Sequence, residues 1–225
     1  LELMLKQGYI SDENDFLSIR SVKIYGDGAL GSRGAALLEP YHDDRHNQGL
    51  LVTSKEKLTP LFDTILAHRF QINIHAIGDR ANRIALDEFE RVFKKPESTL
   101  INGDALRHRV EHAQVVHPED IPRFKTLNII PSMQPTHATS DKIMAPKRIG
   151  EARLKGAYAW QSFLKQGSKI VAGSDFPVEL ANPFFGVHAA VARQDRDNQP
   201  QGGWIMEEAM TCLLYTSPSP RDQEA

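Results

Sequence analysis

A chain of 225 residues, 40% hydrophobic and 25% charged, carries enough apolar material for a substantial core, which excludes a disordered or collagen-like polymer. Its 27 Lys and Arg against 29 Asp and Glu leave a net charge of -2, so no broad cationic surface is expected for nucleic acid or anionic lipid. No apolar run approaches the roughly 20 residues that span a bilayer. The opening Leu-Glu-Leu-Met-Leu-Lys lacks the regions of a secretory signal, so a cytoplasmic protein is expected, with its natural N-terminus upstream of Leu1.

Short β-branched apolar runs alternate with stretches of helical period, the pattern of parallel strands joined by crossover helices in an α/β protein. A strand is predicted at 21–25, followed by an irregular stretch over 26–54 and a helix over 55–69. A strand at 71–77 leads to a helix over 80–93, in which Ala85, Phe89 and Val92 share one face. Next come a strand at 106–116, a helix at 118–125 opening on Pro118, Glu119 and Asp120, a strand at 127–133 and a second irregular stretch over 135–150. A helix over 152–166 closes at Gly167, a fifth strand spans 169–173, and a last helix runs over 184–193. Both irregular stretches follow strands, where an α/β barrel or a doubly wound sheet keeps its functional loops. The segments 140–150 and 195–203 read as mouth loops, lids or passive surface.

The end of the chain, Cys212-Leu-Leu-Tyr-Thr-Ser-Pro-Ser-Pro-Arg-Asp222, resembles the in-frame translation of a sequencing adaptor and is expected to be a non-native tail (212–225) behind one domain (1–211). Setting it aside brings the net charge to -1 and removes the single cysteine, so disulfide and thiolate chemistry are not expected. Any metal site must use nitrogen and oxygen ligands.

Metal-capable side chains recur near the C-terminal ends of the predicted strands: Lys23 in V-K-I-Y-G-D-G, His75 in I-N-I-H-A-I-G-D, His112 in R-V-E-H-A-Q and Asp175 in V-A-G-S-D-F-P-V. A parallel barrel converges its strand ends on one mouth, so residues far apart in sequence could share one ion. Taken singly, each histidine is as well read as a hydrogen-bonded core residue, Asp175 as a cap and Lys23 as a surface side chain.

These segments, with S-M-Q-P-T-H-A from Ser132 and L-K-G-A-Y-A-W from Leu154, resemble the YtcJ-like branch of the amidohydrolase superfamily, which includes N-substituted formamide deformylase; the likeness covers residues 23–211. The resemblance implies a partial (β/α)8 TIM-type barrel, about strands 4 to 8, with a divalent metal, zinc by preference, as one or two ions. It implies that His75 and His112 are ligands, that Asp175 binds metal and moves protons, that Lys23 occupies the position of a carboxylated bridging lysine, and that His137 faces the substrate. Glu111 or backbone would orient the ligand imidazoles. The reaction implied is hydrolysis of a non-peptide C–N bond, amide or formamide-like, in a small molecule by metal-activated water. A homo-oligomer is compatible with it.

The chain departs from that family in having no His-x-His on an earlier strand; His42 and His46, four apart in a polar loop, are read as surface residues. A catalytically incompetent fragment with two exposed sheet edges is therefore the alternative. A remoter one is dinucleotide binding at Gly26-Asp27-Gly28-Ala29-Leu30-Gly31, although Gly34 and Pro40 interrupt the helix such a motif must open. No G-x-S-x-G is present for a serine hydrolase.

Overall fold

The computed structural model describes residues 1–12, 14 and 16–211; the tail expected to be non-native, Cys212 included, lies outside the described residues. The chain begins with helix α1 (Glu2–Gln7) and a two-stranded antiparallel pair, β1 (Ile10–Ser11) and β2 (Ser18–Ile19). The main sheet follows: β3 (Ser21–Tyr25), α2 (Lys55–Ala67), β4 (Gln71–Ala76), α3 (Asp79–Phe93), α4 (Gly103–Leu106), β5 (Arg109–His112), α5 (Ile121–Thr126) and β6 (Ile130–Met133). It ends with α6 (Pro135–Asp141), α7 (Ala145–Ile149), α8 (Trp160–Lys165), β7 (Val171–Ala172) and α9 (Pro183–Ala192).

The five parallel strands lie in the order β3-β4-β5-β6-β7, each beside its neighbour in sequence. A doubly wound sheet reverses direction at a switch point; a sequential all-parallel order is the arc of a β/α barrel. The expected strands and helices are present with shifted ends. The 106–116 strand is confined to β5, because α4 occupies 103–106 and His112 and Ala113 take φ values of 78° and 42° that end extended pairing.

Two expectations fail. The 135–150 stretch is not irregular: Pro135 and Pro146 sit in the first turns of α6 and α7, where a missing N–H costs nothing. Helix 152–166 is broken, because Ala157 turns extended and bridges Val115, and a Cβ on Gly156 would stand 1.8 Å from the Val116 carbonyl. The helix over 118–125 begins later, at Ile121, since Asp120 turns its carboxylate to Arg83 and Arg123 instead of to the helix amides.

The core lies between the sheet and its helices. Ile72, Ile74 and Val110 are buried against α2 and α3, where Phe62 and Phe89 meet edge to face at 4.9 Å. Ala85, Phe89 and Val92 are buried together, as their spacing predicts. On β3 burial alternates, Ser21, Lys23 and Tyr25 being exposed. Register aligns Tyr25 with His75 and His75 with Glu111. Among the described residues no helix is long and apolar enough to cross a membrane.

Candidate metal centre

The long segment after β3 is tied to the end of β4 by one buried carboxylate. Asp27 accepts from the amides of Ala36 (2.8 Å), Ile77 (3.0 Å) and Gly78 (2.8 Å). A Cβ at Gly78 would stand 2.0 Å from the Ala36 carbonyl, so this approach requires glycine. Burial pushes the Asp27 pKa up to about 7, with the three N–H donors pulling it down. Asp79 repeats the device, accepting from Leu38 and Arg80 amides. Much of G-D-G and I-G-D thus serves to fold the loop. The dinucleotide reading fails for the same reason: the glycines run into turns, no helix opens there, and Asp27 occupies the nearby amides.

His75 and His112, from adjacent strands, meet with ring centroids 4.5 Å apart at an interplanar angle of 70°. His137, in the first turns of α6, stacks 6.0 Å from His112. A cavity of about 580 Å³ is lined by Lys23, Tyr25, His75, His112, His137 and Asp175, with Asp141 and Glu179 beside them. All five residues singled out in the sequence therefore border one space. They do not form a ready-made cage: among the described residues, no three His, Cys, Asp or Glu side chains are grouped to hold an ion. Lys23 is exposed on β3 with Nζ 5.4 Å from the Tyr25 ring, and Asp175 is exposed beyond β7 with φ 54°. His42 and His46 are exposed, as expected.

Burial is the first cause of the histidine shifts. It lowers the His75 pKa to about 3, helped by neighbouring His112 and Lys23. It also lowers His112, against the Gln134 hydrogen bond and Asp175, and lowers His137 beside His112. All three are neutral at pH 7, the form a metal ligand needs. Among the described residues, Nε2 of His75 is buried without a hydrogen-bond partner, 3.5 Å from Asp27 Oδ1, and so is Nε2 of His137. That distance and the neutral ring make the Asp27 contact neither a hydrogen bond nor an ion pair. Close neutral imidazoles with an unspent nitrogen fit a divalent ion of the kind bound by nitrogen and oxygen donors.

Four further groups went unread in the sequence. Gln134 faces His112, with Oε1 2.8 Å from Nδ1, whereas the expected orienter Glu111 stands 3.5 Å from Arg109. Tyr158 donates to Asp141 (2.7 Å), and Gln114 donates to both. Gln114, Gln134 and Tyr158 lie inside the motifs already quoted, so their signal was present as polar residues in E-H-A-Q, S-M-Q-P and A-Y-A-W. Asp141 becomes visible only once 135–141 is known to be helical, which sets it one turn after His137.

A strand-end histidine pair on a sequential parallel arc defines the class, and comparison bears it out. The amidohydrolase family model matches residues 2–212, and the chain belongs to that family. It is 36% identical over 209 residues to YtcJ of Bacillus subtilis (strain 168), whose name calls it an amidohydrolase, covering 91% of this chain and 38% of that protein. It is 38% identical over 195 residues to LONG AFTER FAR-RED 3 of Arabidopsis thaliana, covering 86% and 32%. Solved structures of uncharacterized metal-dependent hydrolases from Pyrococcus furiosus and Pyrococcus horikoshii OT3 superpose with TM-scores of 0.72 and 0.73 at 31% and 30% identity. They cover 88% and 90% of this chain and 41% of each of theirs. The chain thus spans 32% to 41% of the length of these relatives.

Proposed function

We propose that the protein is a metal-dependent hydrolase of non-peptide C–N bonds, amide or formamide-like, in small molecules. The observation that carries this reading is the meeting of two neutral imidazoles, His75 and His112, 4.5 Å apart at adjacent strand ends beside a cavity that Lys23, His137 and Asp175 also line. Family membership and the likeness to metal-dependent hydrolases support it.

His75 and His112 would hold the ion, zinc for this donor set, with Asp175 closing on it; Lys23, as a carbamate, would serve a second ion. When bound, such an ion lowers the pKa of water and polarises a carbonyl. Asp175 takes the proton from the attacking water and returns it to the departing amine. His137 donates a hydrogen bond to the substrate carbonyl oxygen from its otherwise unpartnered Nε2. The exposed position of Asp175 favours a second reading, a segment inert by itself.

Zinc content after equilibration and dialysis, with turnover of an N-substituted formamide, separates the two. We expect zinc retained by the wild type, lost in His75→Ala/His112→Ala, and retained in Asp175→Asn with turnover down about 10²- to 10⁴-fold. A wild type that takes up no zinc, or a double variant that keeps it, overturns the hydrolase reading for this chain; normal turnover in Asp175→Asn removes the proton-transfer role.

A further inference from the structure

His112 can be a ligand through Nε2 only if its proton sits on Nδ1, and the atoms around it dictate that choice. The Ser132 carbonyl oxygen can only accept, so the Gln134 atom 3.2 Å from it is the amide nitrogen Nε2. That orientation turns Gln134 Oε1 to His112 Nδ1 at 2.8 Å. Oε1 also only accepts, so Nδ1 must carry the hydrogen, and a neutral ring then has a bare Nε2. With the amide reversed, Oε1 would face the Ser132 carbonyl oxygen, two acceptors with no hydrogen between them.

We infer that Gln134 is a positioning residue that holds His112 in the Nδ1–H tautomer and so presents Nε2 to the cavity as a ligand atom. Gln134 directly follows β6, while His112 ends β5; the register pairing Glu111 with Ser132 sets the two strand ends side by side. The φ of 78° at His112 sets the direction of its Cα–Cβ bond, and Gln134 holds the ring's proton. The ligand role of Nε2 rests on the proposed hydrolase reading; the tautomer does not.

The test uses the whole chain with 15N-labelled histidine. Long-range 1H–15N spectra of the metal-free protein at pH 7.5 report each tautomer, and zinc titration reports affinity. Wild type and Gln134→Glu, which keeps an acceptor facing the ring, should show Nδ1–H at His112. Gln134→Met, of similar length without an acceptor, should shift the ring toward Nε2–H and weaken zinc binding 10- to 100-fold, as loss of an orienting partner does elsewhere. Nε2–H in the wild type, an unchanged Nδ1–H tautomer in Gln134→Met, or unchanged zinc affinity in that variant overturns the inference. Should Gln134→Met fail to fold, the wild-type spectrum and retention of Nδ1–H in Gln134→Glu decide. A wild type with Nδ1–H that binds no zinc sinks the hydrolase reading and leaves the tautomer assignment standing.

Discussion

His108, just before β5, and His112, its last residue, lie four residues apart and are both buried, yet their nitrogens are used differently. At the N-terminal end, His108 Nδ1 accepts from the Ile72 amide at 3.0 Å and Nε2 donates to the Ile101 carbonyl at 2.8 Å, between Phe89 and Phe93. At the C-terminal end, His112 engages one nitrogen with Gln134 and meets His75 and His137 edge-on or stacked. A core histidine is satisfied on both sides by backbone; a histidine kept for chemistry is held on one side. Beside His112, at the same cavity, the Nε2 atoms of His75 and His137 have no hydrogen-bond partner among the described residues.

The largest effect expected of this contrast is on stability. His108→Ala strands the Ile72 amide and the Ile101 carbonyl and opens a cavity, so it should cost about 3–5 kcal/mol in chemical denaturation. His112→Ala should cost the metal-free chain only about 1–2 kcal/mol while removing a zinc ligand. Equal losses would erase the distinction.

The second effect is pH dependence. Burial lowers the His108 pKa from 6.5 to about 4, so the unfolded chain binds a proton that the folded chain refuses between those values. The stability from this group is complete above about pH 6.5 and is lost as pH falls toward 4, by about 3 kcal/mol in all. Subtracting the urea-denaturation profile of His108→Gln from that of wild type isolates it; a flat difference over that window would place the proton elsewhere.

The smallest effect tests whether the near end is also scaffolded. Asp27→Asn turns an amide group toward one of the three backbone donors and should cost about 1–3 kcal/mol, with zinc affinity moved less than by His75→Ala. If Asp27→Asn abolishes zinc binding in a folded chain, Asp27 belongs with the ligands instead of the scaffold.

The strands and the helix faces were legible because their periods, as at Ala85, Phe89 and Val92, are local. Alternation with helices indicated parallel strands but left barrel arc and doubly wound sheet open; the resemblance implied the barrel, and the sequential pairing agrees with it. The ends were not legible. What stops β5 is a left-handed turn at His112 and Ala113, neither of them glycine, and what breaks the 152–166 helix is a close approach to Val116 from far along the chain. Lys23, His75, His112, His137 and Asp175 could be picked out by residue type. His108, of the same type, satisfies both nitrogens through Ile72 and Ile101, and only three-dimensional contacts separate it from His112. Gln134 was hidden for the converse reason: an amide has no ligand chemistry of its own, and its role exists only through its neighbours.

The carboxylate of Asp27 joins amides from Ala36, 9 residues along the chain, and from Ile77 and Gly78, 50 and 51 along. Three N–H groups from distant parts of the chain converge on one buried carboxylate, so an opening that withdraws Asp27 frees all three, and their hydrogen exchange is expected to share one opening free energy. Ile77 and Gly78 lie two and three residues after His75, so exchange at these amides reports order at the end of the strand that carries the imidazole.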